Sequence, residues 1–197
     1  MTGRAQAHAL EGIVASLLLL SSVVFALQMT AVTPLTASTS SQHLENQQEA
    51  TAHGILASAA ETGALKRAVL NWNRTSEAFY NTTDVGYFRR GVPHNEFGEM
   101  LNQSFNRRGI AYNVRLAYFS QDDQRQIARL VYQGVPSDNA VEASRTVTLL
   151  GSDPLYDHEE KPTSITLSNS DANYTIPDTT PENLYNVVRV EVVVWRI

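Results

Sequence analysis

The chain contains no cysteine, and this absence excludes two kinds of site. Disulfide bridges and thiolate metal sites cannot form. Cysteine pairing therefore gives no information on whether the protein resides in an oxidising or a reducing compartment. Lysine is almost absent too, because 13 of the 15 basic residues are arginine and only Lys66 and Lys161 are not. The net charge of −5 is mild, and no basic run is long enough to predict binding to nucleic acid.

The common catalytic motifs are also missing. There is no GxSxG nucleophile turn, no phosphate-binding P-loop, no GxGxxG and no HExxH. His94, Glu96 and Glu99 could form a metal or acid–base set, but acids at a helix N-terminus are explained by the helix dipole. We therefore predict that the protein is not an enzyme and has no catalytic, metal or cofactor-binding residues.

One loop concentrates oxygen ligands, namely Asp153, Asp157, Glu159 and Glu160 beside His158. Such a density of carboxylates could hold calcium, but the spacing matches no calcium-binding loop. An acidic surface loop is the simpler interpretation.

Charge is missing from one long stretch near the N-terminus, between Glu11 and His43. Within it, residues 12–32 form an apolar run that would be about 31 Å long as a helix, close to the hydrocarbon thickness of a bilayer. We predict a short cytoplasmic segment at residues 1–11 and a transmembrane helix in membrane lipid at residues 12–33. Arg4 favours a cytoplasmic N-terminus, which places the rest of the chain in an extracytoplasmic head at the cell membrane.

Three interpretations of this N-terminus remain open. The first is an uncleaved signal-anchor. The second is a cleaved secretory signal, with small residues for the cut at Ala26, Ala31 and Ala37. The third is a short leader, Met1 to Ala5, that is cut before the apolar helix. The basic Arg4, the small Ala5 and a mature start at Gln6 resemble the processing site of archaeal pilin and archaellin precursors.

Glu11 distinguishes these interpretations. A carboxylate at the edge of a membrane helix is costly unless it is paired. The resemblance to pilin-like proteins implies an assembly role, in which Glu11 pairs with the N-terminal amine of a neighbouring subunit. Glu11 would be the sixth mature residue, one later than is usual in bacterial pilins. The alternative is a carboxylate that is solvated at the level of the headgroups.

A wider resemblance covers most of the chain. The stretches RAQAHALEGIVASLLLLSSVVFALQMTAVTPLTASTSSQHLENQ, GIAYNVRLAY and VVRVEVVVWRI are similar to an uncharacterised family of membrane-anchored proteins of halophilic archaea, often grouped with pilin-like and secretion-associated genes. It implies a pilin-like structural subunit of a surface filament or secretion pseudopilus, with other pilin-like subunits as partners through the N-terminal helix. The alternative is a monomeric, membrane-anchored, extracytoplasmic binding module that joins no filament.

The remaining sequence predicts an α+β head. Pro34 closes or kinks the membrane helix, residues 34–43 form a neck, and residues 44–197 form the head. Apolar residues recur at helical spacing from Leu44 to Trp72 and again from Asn95 to Asn106. After these helices the period changes to two, which predicts four or five antiparallel strands, with a hairpin at residues 110–135. The C-terminal strand, with alternating valines at 188–194, should lie inside the sheet.

Four asparagines lie in acceptor sequons for glycosylation, Asn73, Asn81, Asn102 and Asn173. All follow the anchor and would share the external side. Asn81 and Asn173 have the most loop-like surroundings, and we predict them as the better candidates.

Overall fold

The computed structural model describes residues 2–82, 85–89, 91–169, 172–179 and 183–196, with the backbone alone at residues 2–7 and 29–41. The elements in chain order are α1 (Thr2–Glu61), α2 (Ala64–Leu70), β1 (Trp72–Asn73), β2 (Ala78–Phe79), α3 (Glu96–Ser104), a 3-10 turn (Asn106–Arg108), β3 (Ile110–Phe119), β4 (Arg125–Tyr132), β5 (Val141–Leu150), β6 (Pro154–Tyr156), β7 (Pro162–Thr166) and β8 (Leu184–Arg196). The predicted α+β class is confirmed, and the main sheet has four strands.

Helix α1 extends further than the sequence predicted. The backbone is helical at Pro34 and throughout residues 34–43, where a helix end or kink and a neck were expected. Proline removes one backbone donor, but the residues on either side can continue the hydrogen-bond ladder. By its contacts the chain divides into two units, Met1–Leu44 and Glu45–Ile197, and the second is the head described next.

The main sheet is antiparallel with strand order β4-β3-β8-β5. The C-terminal strand β8 is therefore interior, as predicted. Its valines at 188, 190, 192 and 194 are buried on one face, whereas Arg189 and Glu191 lie on the other. We call these the inner and outer faces of the sheet.

The inner face packs into one hydrophobic core with the helices. Ala52, Ile55, Leu56 and Ala59 of α1 belong to this core, at the spacing expected for one side of a helix. Helices α2 and α3 contribute further buried residues, among them Leu65, Val69, Phe97 and Leu101. The end of α1 is thus a core helix of the head, as the sequence predicted.

The helix predicted from Leu44 to Trp72 is two helices. Helix α1 ends at Glu61 and α2 begins at Ala64, with Gly63 between them at φ 74°. Glycine occupies this left-handed conformation without steric cost, so it ends one helix and starts the next. After α2 the chain forms the small β1–β2 ribbon, which pairs Trp72 with Phe79.

Helix α3 begins as its sequence predicts. The Asn95 side chain accepts a hydrogen bond from the Gly98 N–H at 2.8 Å, which satisfies one of the free donors at the helix start. Gly98 itself has no room for a side chain, because an added Cβ would lie 1.9 Å from the carbonyl oxygen of Pro93.

We expect Gly98→Ala to lower the free energy of unfolding by about 1–3 kcal/mol, because the backbone near Pro93 must move. Gly54→Ala is the matched control in α1, where an added Cβ meets nothing within 4 Å. It should stabilise the protein by roughly 0.5–1 kcal/mol. Urea unfolding of the full-length protein, followed by near-UV circular dichroism, measures both. Equal stability of the two variants would contradict the close packing of α3 on Pro93.

Candidate functional site

The N-terminal part of α1 is apolar on every side. Leu17, Leu18, Leu19 and Leu20 follow one another at 100° steps around the helix, and each is 60–67% exposed. A helix of this kind has no polar face that water could solvate. It is therefore stable only where an apolar environment surrounds it on all sides.

The serine hydroxyls within this stretch form hydrogen bonds within the helix. The hydroxyls of Ser16, Ser21 and Ser22 each donate to a backbone carbonyl three or four residues earlier, at 2.7–2.8 Å. Such bonds remove the need for water. Among the described residues, the segment His8–Gln28, with a mean hydropathy of 2.2, is the one helical stretch long and apolar enough to cross a membrane.

Glu11 lies near the start of this stretch. Its carboxylate oxygen is 3.7 Å from Nδ1 of His8, one turn earlier, and both side chains are 81% exposed. The other three residues of the predicted N-terminal site, Arg4, Ala5 and Gln6, have a helical backbone, but their side chains lie outside the described part of the structure.

The acidic loop includes the turn that joins β6 to β7. Asp157 accepts the N–H groups of Glu159 and Lys161, both at 2.9 Å, and these bonds, the one from Lys161 first, lower the pKa of Asp157. The Lys161 ammonium pairs with Glu159 at 2.5 Å. Asp153 instead pairs with Lys66 of α2 at 2.6 Å. Asp157 therefore stabilises the turn, whereas Glu159 and Asp153 belong to two separate ion pairs.

The other suggested polar set is also divided among local contacts. Glu160 accepts the Glu96 N–H at 3.0 Å, and the Glu96 carboxylate pairs with Arg67. The His94 ring stacks on Phe88, with centroids 6.3 Å apart. Within the part of the chain that the structure describes, no three His, Asp or Glu side chains are placed to share a metal ion.

The sequon asparagines differ in their surroundings. Asn81 is exposed in a turn at φ 61°. The Asn173 amide nitrogen donates to Glu77 at 2.5 Å, and the Asn102 side chain accepts a bond from Asn106 within the segment around α3. Asn73 accepts the backbone N–H of Thr75 at 3.0 Å, so its own amide nitrogen is not used in that turn.

Sequence reasoning missed a dense group of charges on the outer face of the sheet. Glu191 is only 3% exposed, although it lies on the outer face of the sheet. Three guanidinium groups surround its carboxylate, those of Arg125 at 2.6 Å, Arg115 at 3.4 Å and Arg189 at 3.9 Å. Arg115 also pairs with Glu142 at 3.0 Å. Strand alternation places Glu191 and Arg189 on one face, but only the pairing with β3 and β4 brings in the other arginines.

The sequence matches one known protein family. A family model described as a family of unknown function, DUF7288, matches residues 4–194. The chain belongs to DUF7288. No curated protein and no solved structure matches it. The DUF7288 match includes both the apolar stretch of α1 and the head through most of β8.

We expect Glu191→Gln to lower the free energy of unfolding by about 2 kcal/mol, because three arginines then surround a neutral side chain. This value is below that for a fully buried pair, since the arginine side chains are 35–59% exposed and partly solvated. Glu142→Gln is the control on the same face. Its side chain is 45% exposed, and we expect a loss of about 0.5 kcal/mol. Urea unfolding in matched buffers compares them, and equal losses would show that Glu191 has no special role.

Proposed function

We propose that this DUF7288 protein is a pilin-like structural subunit of an archaeal surface filament or secretion pseudopilus. The observation that carries the proposal is helix α1. One helix assignment, Thr2–Glu61, includes an apolar stretch exposed on every side and then contributes four residues to the core of an α+β head. This is the layout of pilin-like proteins, which the N-terminal sequence also resembles.

In this proposal the apolar helices of neighbouring subunits pack against each other and against lipid. Association of such helices in a membrane comes from close packing and from interhelical polar contacts, since lipid is as apolar as leucine. Glu11 supplies the polar contact by pairing with the N-terminal amine of a neighbour. The N-terminus is cytoplasmic before assembly, and the head with its four sequon asparagines is extracytoplasmic.

The His8–Glu11 contact favours the alternative, an anchored extracytoplasmic binding module that stays monomeric. When His8 is protonated, the two side chains form an ion pair within one chain, at 3.7 Å. The Glu11 carboxylate then has a positive partner in its own chain and needs none from a neighbouring subunit. The two functions therefore differ in which positive group neutralises the Glu11 carboxylate.

We expect Glu11→Gln to leave the protein membrane-bound and its head folded, because glutamine keeps the size and removes only the charge. It should reduce recovery in sheared surface fractions and crosslinking between N-terminal helices by about tenfold, the effect of roughly 1.4 kcal/mol per contact. Shearing and crosslinking of cells from the native host, with immunoblots, measure this.

Two controls make the result specific. His8→Gln removes the partner within the chain and should leave assembly unchanged if the neighbour's amine is the true partner. Glu99→Gln alters an exposed carboxylate of the head and should also have no effect. If Glu11→Gln behaves like Glu99→Gln, and the wild type yields no crosslinks between helices, the pilin-like function is rejected and the anchored monomer remains.

Processing provides an independent test. If the leader is cut after Ala5, the mature membrane protein starts at Gln6. A small residue beside the scissile bond lets the peptidase backbone approach, so Ala5→Leu should block the cut and retain the leader. Mass spectrometry of the N-terminal peptide measures both proteins. A wild-type protein that keeps Met1 or Thr2 would contradict the proposal, and a start near Ser38 would indicate a secretory signal.

A further inference from the structure

A cavity of about 520 Å³ lies beside the β1–β2 ribbon. Its lining includes Trp72, Glu77, Phe79, Tyr87, Arg115, Arg129 and Thr175. A second space of about 550 Å³ adjoins it and shares Glu77, Phe79, Val85 and Gly86. We call the first space the ribbon cavity. It lies wholly in the head and is independent of the N-terminal helix.

Arg129 gives the ribbon cavity a cationic side, and Arg115 adds an N–H donor, although its charge is shared with Glu142 and Glu191. Arg115 comes from β3, and its Nε atom is buried without a hydrogen-bond partner in the protein. A buried charged donor that makes no hydrogen bond is unfavourable, so an acceptor oxygen is expected there. Arg129 comes from β4, and its guanidinium lies 4.8 Å from the centre of the Tyr132 ring and 5.8 Å from that of Tyr87. These rings hold it in place.

Aromatic side chains form an apolar side. Trp72 and Phe79 are almost fully buried and meet edge to face, with ring centroids 5.2 Å apart at 86°. The Trp72 indole N–H donates to the carbonyl oxygen of Asn173 at 2.9 Å, so the ring is fixed from behind. The two rings are only 6% and 4% exposed, so they add a narrow apolar strip to the lining of the cavity.

The remaining lining groups restrict the charge of the ligand. The Glu77 carboxylate accepts a bond from the Asn173 amide and still has oxygen lone pairs for hydroxyl donors, and Thr175 adds a hydroxyl. Glu77 also repels a second negative charge on the same sugar ring. Arginine matches a carboxylate with two parallel N–H donors. The chemistry therefore fits a ligand group with one carboxylate and several hydroxyls.

We propose that the ribbon cavity binds a uronic acid residue of a glycan, with its carboxylate on Arg115 and Arg129 and its hydroxyls on Glu77 and Thr175. The sequon residues Asn73 and Asn81 line the adjoining space, so a glycan carried by this chain or by a neighbour would reach the same rim. The site does not depend on filament assembly.

The test uses full-length protein from a bacterial host that adds no N-glycans, in nanodiscs of phosphatidylcholine. Calorimetric titration compares trigalacturonate, uncharged galactotriose and inorganic phosphate. The Trp195→Phe background leaves Trp72 as the single tryptophan, whose fluorescence reports on the cavity itself. We expect trigalacturonate to bind and to change this fluorescence, and the other two compounds to do neither.

Variants identify the contacts. Arg129→Gln should weaken binding of trigalacturonate at least tenfold, whereas Arg145→Gln, an exposed arginine of β5, should change it less than twofold. Glu77→Gln should allow phosphate to bind, because the repelling charge is gone. Thermal unfolding checks that each variant is folded.

Four results would overturn the proposal. They are no binding of trigalacturonate, equal binding of galactotriose, equal binding of phosphate to the wild type, and equal effects of Arg129→Gln and Arg145→Gln. The first two reject the acidic saccharide, the third indicates a general anion site, and the fourth shows non-specific attraction to arginine.

Discussion

The backbone ladder of β8, which pairs with β3 on one side and β5 on the other, is the interaction on which the head depends. Without it, the β3–β4 hairpin and β5 would have no shared sheet. Because side chains alternate along a strand, the same ladder sends four valines into the core and sends Arg189 and Glu191 to the outer face. A slip of one residue would exchange the two sets, so burial of the valines keeps the register.

The N-terminal helix follows a different constraint. In its apolar stretch, residues 8–28, the serine hydroxyls bond to backbone carbonyls of the helix, and the leucines at positions 17–20 are exposed on all sides. A continuous apolar surface of this size is rare on a protein that stays in water. Lipid alone is apolar enough to cover it, so the leucines do not distinguish an anchored monomer from the proposed filament subunit, and the test of the proposal depends on Glu11.

Local patterns predicted those elements whose structure is decided by neighbours in the sequence. Alternation predicted β3 and β8, helical spacing predicted α3 from Asn95, and the lack of charge predicted the apolar segment near the N-terminus. The end of α1 was not, because Gly63 is tolerated within a helical pattern and its left-handed φ is visible only in the structure. Pro34 shows the reverse, since a residue that usually ends helices lies within one.

The sequence by itself determined the class of the fold, the apolar segment and the exclusion of every thiol-based site. Only the tertiary structure decided what surrounds Glu191 and what lines the ribbon cavity. Arg125 is 66 residues from the glutamate that it contacts, and the cavity draws on β1, β2, β3, β4 and the segment before β8. Periodicity specifies which face of an element is apolar. It carries no information on which strands become neighbours, and that choice brings these side chains together.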